Sequence, residues 1–246
     1  MSSNNFHSSH YLITGGTSGI GYELVRQLHE RNAVSVIGRP SSGLDALKQK
    51  FPGIRTYAAD LADSEDVALA ADKIVKRGEA VDVLINNAAV QNTPQFLDDD
   101  FCVETIKREI AVNLTAPSVL IYLTLPVLLQ SSKATVLNIN SGLALAPKTS
   151  SAVYCATKGG LNILSQSLSH QFECANIRVM QAFLPLVDTG MTEGRGSGKL
   201  SAAEAANQIL EGLNGKSLNI DIGKVKLLRL LMRLSPSLAQ RIMRRG

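Results

Sequence analysis

At 246 residues and 45% hydrophobic content, the chain is long enough to bury one large α/β core, and a single domain is expected. Residues 221–246 hold seven Lys/Arg against the single acid Asp221, which leaves 18 basic and 20 acidic residues in the body; that balance, with no Trp to stack bases, excludes a broad nucleic-acid surface. Cys102, Cys155 and Cys174 form no CxxC pair and no Cys/His cluster, which argues against a disulfide framework or a metal site and fits a reducing cytoplasm.

Residues 1–10 are polar, with neither a basic cluster nor an apolar run, and read as a flexible N-terminal segment without the parts of a secretory signal. Residues 11–222 alternate short β-branched runs with longer stretches of helical period, the pattern of parallel strands joined by crossover helices. Strands are expected at 11–14, 34–37, 55–58, 81–86, 135–140, 177–183 and 218–222. Ile20, Leu24 and Leu28 recur every fourth residue as the buried stripe of the first helix, and Leu161, Leu164, Leu168 and Phe172 do the same in a helix starting near Val153. The most apolar run, 119–129, is interrupted by Tyr122, Thr124 and Pro126 and falls short of the roughly 18 residues of a membrane span. Residues 189–201 are Gly-rich and polar, as a mobile loop would be. In residues 223–246, Val225, Leu228 and Met232 stand at helical spacing with Arg229 and Arg233 between them. This basic extension is expected to pack on the same domain or on an interface, with peripheral membrane contact as the weaker alternative.

The first strand runs directly into Thr14-Gly15-Gly16-Thr17-Ser18-Gly19-Ile20-Gly21 and then the amphipathic helix, the context of a dinucleotide-binding turn. Gly15 can bend the chain, Gly19 can admit a pyrophosphate to the backbone, and Gly21 can bring helix close to strand, while the helix N-terminus favours negative charge. Taken alone, the segment reads equally well as an ordinary strand-to-helix turn. The second strand ends Val36-Ile37-Gly38-Arg39 and the next carboxylate is Asp45, so no acid awaits an adenosine ribose. Arg39 offers a charge-assisted fork to a 2′-phosphate, with Thr17 or Ser18 as hydroxyl partners, which favours NADP(H) and leaves NAD(H) open.

Tyr154 and Lys158 are four residues apart and so share one helix face, where an ammonium would lower the phenol's pKa and ready it for proton exchange. YxxxK alone is a frequent accident. Here the glycine spacing, Asn86-Asn87-Ala88-Ala89 after the fourth strand, Ser141 thirteen residues before Tyr154, and Asn113 in Ala111-Val112-Asn113-Leu114-Thr115 occur in order. Together they resemble the short-chain dehydrogenase/reductase family, and the wording around Tyr154 and at residues 223–228 resembles its DltE-like branch. The resemblance implies a Rossmann-like, doubly wound parallel sheet with helices on both faces, an oxidoreductase acting on a carbonyl or secondary alcohol, and a homodimer or homotetramer. By the same resemblance, Tyr154 exchanges the proton, Ser141 steadies the substrate oxygen, Lys158 bonds the nicotinamide ribose and tunes Tyr154, and Asn113 holds a relay water. Asp60, Leu61, Asn87 and Ala88 would line the cofactor along with the glycine turn.

Two places depart from the family pattern. Ala89 replaces the usual glycine, and Leu184-Pro185-Leu186-Val187-Asp188-Thr189 replaces Pro-Gly-x-Val-x-Thr, keeping only Val187 and Thr189 as carboxamide contacts. Pro185 removes an N–H and fixes φ, so the local path there is expected to differ. The substrate pocket is expected from Gln91, Leu143, Leu145 and Met191 and their neighbours, mainly apolar with few fixed charges, which points to a neutral, moderately hydrophobic small molecule. The alternative is a catalytically silent NADP(H)-binding regulator or scaffold with the same fold.

Overall fold

The computed structural model describes residues 9–244. In chain order it forms β1 (His10–Thr14), α1 (Gly19–Leu28), β2 (Ala33–Gly38), α2 (Ser42–Lys50), β3 (Arg55–Ala58), α3 (Ser64–Lys76) and β4 (Val83–Asn86). The chain continues through α4 (Val103–Ile110), α5 (Ala116–Leu128), β5 (Ala134–Ser141), α6 (Ala152–Gln171) and β6 (Ile177–Leu184). It ends with β7 (Val187–Asp188), β8 (Leu200–Ser201), α7 (Ala202–Leu213), β9 (Asn219–Asp221), α8 (Val225–Leu234) and α9 (Pro236–Met243).

Seven strands pair in the order β3-β2-β1-β4-β5-β6-β9, every pair parallel. Alternation along β1 sets the layers. Tyr11 and Ile13 enter one core with Leu24, Val25 and Ile209 from α1 and α7, while Leu12 enters the other with Val67, Leu120 and Ile121 from α3 and α5. Strand order reverses beside β1, between β2 and β4, and there the carboxyl ends of neighbouring strands part to leave a crevice.

Several boundaries differ from expectation. Residues 1–8 of the expected flexible segment lie outside the described residues, but His10 belongs to β1: its ring bonds the Ser35 hydroxyl at 2.8 Å and the Ala80 carbonyl at 2.9 Å, and it is buried. Val81 precedes β4 and donates its N–H to Val127 O instead of a strand partner. The last strand shortens to Asn219–Asp221. Ile20 is only partly buried, so Leu24 and Leu28 carry the stripe of α1 with Val25.

The larger difference is in the middle of the chain. α4, a π turn at Ala111–Thr115 and α5 run together as one helix, Val103–Leu128, of 26 residues, with an 18-residue stretch of mean hydropathy 1.7, long and apolar enough by length and composition to cross a membrane. The eleven-residue apolar run read from the sequence understates it, because the π turn continues the helix through residues 111–115. Val112, Leu120, Ile121, Val127 and Leu128 of this helix pack in the second core against α3, which accounts for the apolar face.

The C-terminal extension folds back as α8 and α9. Leu228 and Ala239 bury against Ala146, with Leu145, Leu231, Met232 and Met243 around them. Arg229 clamps Asp221 through two hydrogen bonds, and Thr149 Oγ1 donates to Arg244 O at 2.8 Å. Leu227, Leu230, Leu234, Leu238 and Ile242 remain exposed on the outer side.

Candidate active site

The glycine turn is shaped by contacts that leave no room for side chains. Gly15 adopts φ +72°, a left-handed conformation suited to glycine, and a Cβ on Gly21 would stand 2.1 Å from Gly15 O. Asn87 braces the bend from below, donating from Nδ2 to Thr14 O at 3.0 Å and Gly15 O at 3.1 Å, while Thr14 Oγ1 accepts from Asn87 N and Ala88 N. Asn87 therefore acts chiefly by holding the turn. Loop 187–192 closes over the turn, since a Cβ on Gly19 would meet Thr189 Cγ2 at 3.0 Å.

This loop is well anchored despite Pro185. Val187 and Asp188 pair with Leu200 and Ser201, and Leu200 N donates to Leu186 O at 3.1 Å. Thr192 caps the turn after Thr189, with Thr192 N donating to Thr189 O and Thr192 Oγ1 accepting from Thr189 N.

A cavity of about 860 Å³ runs along the strand ends from the glycine turn to the YxxxK helix. It gathers Gly15, Thr17, Ser18, Gly19, Ile20, Arg39, Asp60, Leu61, Asn87 and Ala88 with Val187 and Thr189. At its other end it gathers Gln91, Ser141, Leu143, Tyr154, Lys158 and Met191. Three expected residues do not line it. Gly21 lies behind the turn, Asn113 is buried behind the wall, and Leu145 turns away to pack under the C-terminal helices.

At the first end, Arg39 is exposed and has no ion-pair partner among the described residues. Asp60, expected to meet adenine, is held by a second arginine: Arg108 Nη2 reaches its two carboxylate oxygens at 3.3 and 3.2 Å, and Ala62 N donates to it at 3.0 Å. Burial pushes the Asp60 carboxyl up, but these hydrogen bonds and the two guanidinium charges outweigh it and hold it below its ordinary value. The sequence reading missed Arg108, whose helical position only shows its neighbours once α4 is docked.

At the second end, Ser141 closes β5 and its Oγ accepts from Leu143 N at 3.1 Å. Lys158 is buried, 3% exposed; Nζ donates to Ile139 O at 2.8 Å and lies 5.7 Å from the Tyr154 ring centre. Burial pulls the Lys158 ammonium down to about 8. Burial likewise pushes the Tyr154 phenol up to about 12, against the opposing pull of a hydrogen bond with Ser141. Burial acts on both groups, and the Lys158 ammonium makes its hydrogen bond to a strand carbonyl.

Asn113 has further partners. Its Oδ1 accepts from Val90 N at 2.9 Å, and Nδ2 donates to Val90 O at 2.8 Å and Thr157 Oγ1 at 3.2 Å, so the side chain staples the segment after β4 to α6. It sits in the π turn, where Ala116 N reaches back five residues to Ala111 O. Its side chain is thus a positioning element. Glu109, one turn earlier, is a buried carboxylate that accepts from Asn92 N at 2.5 Å and is raised by burial.

Two cations line the second end, Lys148, which the sequence reading did not name, and Arg195, in the loop it took as lining. Both lie on irregular segments, where no periodicity tells which way a side chain faces. Met243, from α9, completes this end.

The family model described as short chain dehydrogenase matches residues 9–199, and the chain belongs to that family, an NAD(P)-dependent dehydrogenase/reductase by class. Within the family it falls with DltE-like proteins: it is 33% identical over 225 residues to the uncharacterized oxidoreductase DltE of Bacillus subtilis, covering 89% of each chain. It is also 30% identical over 200 residues to L-xylulose reductase of Homo sapiens, covering 80% of each. Among solved structures it resembles a short chain dehydrogenase of Burkholderia cenocepacia in complex with NADP, with TM-score 0.86 and 21% identity, covering 96% of this chain and 98% of that one. A short-chain dehydrogenase of Sphingobium yanoikuyae in complex with NADPH gives TM-score 0.79 at 25% identity, covering 95% and 93%.

Proposed function

We propose that the chain catalyses NADP(H)-dependent interconversion of a small carbonyl compound and its secondary alcohol, with Tyr154 as the proton donor and acceptor. The observation that carries this reading is the convergence of Ser141, Tyr154 and Lys158 on the same cleft as the glycine turn. The bend at Gly15 and Gly19, open to the cleft at the start of α1, fits a pyrophosphate. When bound, the nicotinamide supplies or takes up the hydride. Arg39, with no acid at the end of β2, supports a preference for a 2′-phosphorylated coenzyme, as do the NADP and NADPH complexes of the two structural relatives.

In reduction, Tyr154 gives its proton to the substrate oxygen while the Ser141 hydroxyl holds that oxygen in place. A phenol at about 12 is a donor that remains protonated through the neutral range. Lys158, 5.7 Å from the ring and buried, is positioned to bond a coenzyme ribose and to compensate phenolate charge in the oxidative direction. Asn113 keeps α6 and the segment after β4 in register. Tyr122, Leu129 and Ile163, exposed on α5, just after it, and on α6, support assembly into a homodimer or homotetramer.

The test is NADPH consumption across aldehydes, ketones and quinones. Tyr154→Phe should lower turnover by about 10²–10⁴-fold while NADPH still binds. Turnover that survives the substitution unchanged would exclude Tyr154 as the acid.

A further inference from the structure

The catalytic end of the cleft holds more positive charge than reduction of a neutral carbonyl requires. Lys148 follows the short turn after β5, and Arg195 comes from the loop between β7 and β8; both line the cavity with Ser141 and Tyr154. Arg195 Nη1 donates to Gln91 Oε1 at 2.9 Å, and Gln91 Nε2 donates to Ser151 Oγ at 3.3 Å, which tethers the guanidinium by one N–H and leaves its other donors for the cleft. Lys148 Nζ has no hydrogen-bond or ion-pair partner among the described residues.

Several partly buried cations of this protein are paired with carboxylates, Arg108 with Asp60, Lys199 with Asp188 and Arg229 with Asp221, while Arg178 and Lys158 bond backbone carbonyls instead. Lys148 and Arg195 have no carboxylate within ion-pair distance among the described residues. The acid whose charge Tyr154 feels, Glu109, is buried and bonded to Asn92 N, and the Cys155 thiol beside Lys148 is pushed up by burial. Two like charges thus line one end of the cleft, and its one lining carboxylate among the described residues, Asp60, is held by Arg108 at the other. Burial first, and then the charge of Arg195, hold the Lys148 ammonium below its ordinary value. Arg195 and Lys148 line the cavity together with Ser141 and Tyr154, whereas Arg39 and Arg108 line its far end beside Asp60.

The unpaired cations are readily explained if the missing counter-ion is part of the substrate. We propose that Lys148 and Arg195 form an anion clamp and that the substrate is a small carbonyl compound, or its alcohol, bearing a carboxylate or phosphate a few atoms from the reacting carbon. This replaces the neutral compound expected from the sequence and rests on the oxidoreductase reading. A guanidinium fork and an ammonium suit either anion. Leu143, Leu186 and Met191 would enclose the carbon chain between the anion and Tyr154.

Two measurements test it. NADPH-dependent reduction is compared within matched pairs, 4-oxopentanoate against its methyl ester and dihydroxyacetone phosphate against dihydroxyacetone, which separates the carboxylate from the phosphate source. The anionic member of one pair should be preferred in kcat/KM by about tenfold or more, the ratio that one charge-assisted contact provides. Lys148→Gln and Arg195→Gln should each reduce that preference several-fold through KM, leaving the neutral partner and the KM for NADPH unchanged. Calorimetry on the NADPH-loaded protein, with the pyrophosphate cradle already filled, follows binding of 4-oxopentanoate and inorganic phosphate without relying on turnover. One of them should bind to the wild type and lose about tenfold or more in affinity in both variants.

Turnover with no preference for the anionic member would overturn the clamp and leave the reductase standing. Equal loss on both members of a pair, or anion binding unchanged in the variants, would overturn it as well. Anion binding that depends on both residues, without Tyr154-dependent turnover of any carbonyl, would keep the clamp and bring down the reductase reading.

Discussion

Replacing Lys158 by methionine should remove activity and make the protein more stable at neutral pH. The ammonium is 3% exposed and has one hydrogen bond, to Ile139 O. The drop of its pKa from 10.5 to about 8 corresponds, at about 1.4 kcal/mol per pH unit, to about 3 kcal/mol of destabilisation from keeping the charge in the core. Between about 8 and 10.5 the unfolded chain holds a proton that the folded one has released, so this cost is fully present below pH 8 and fades as pH rises towards 10.5. Lys158→Met abolishes the cost and forfeits a hydrogen bond of about 1 kcal/mol. The net gain is about 2 kcal/mol at pH 7, shrinking to nothing near pH 10. Urea unfolding of both proteins at pH 7 and pH 10, with turnover measured alongside, checks this. A variant that is less stable at pH 7, or a difference that does not change with pH, would refute burial as the origin of the depressed lysine.

Three other outcomes follow from the same geometry. In the coenzyme-free protein, Tyr154 at about 12 should give no tyrosinate absorbance below pH 10 in a difference titration against Tyr154→Phe; a transition near neutrality would contradict the dominance of desolvation. Gly21→Ala would set a methyl 2.1 Å from Gly15 O, where both partners are backbone, so NADPH affinity by fluorescence titration should fall by at least about a hundredfold and the melting temperature with it. Arg39→Gln should raise the KM for NADPH by about ten- to a hundredfold and leave that for NADH within about twofold, and an equal effect on both coenzymes would remove Arg39 from 2′-phosphate recognition.

Features that repeat along the chain were legible, and those that depend on two distant segments meeting were not. The alternation Tyr11, Leu12, Ile13 and the spacing Leu24, Leu28 reveal strand and helix because each residue's face follows from its neighbours. The glycine turn was legible for the same reason: Gly15, Gly19 and Gly21 act within one short segment. Leu145 was misplaced because its partners, Leu228 and Ala239, arrive from more than eighty residues later. The partners of the Asn113 side chain, Val90 and Thr157, were not legible, because they exist only once the segment after β4 and α6 meet around it. Lys148 and Arg195 look like ordinary surface cations until two loops face each other across the cleft.

The way the chain finishes has a practical consequence. Met243 forms part of the cleft wall, and Arg244 O is fastened to Thr149 on the segment that follows Ser141. Anything that pries α9 loose would therefore strip one side from the reaction chamber. The two last helices are thus part of the chamber's wall and not an appendage beside it.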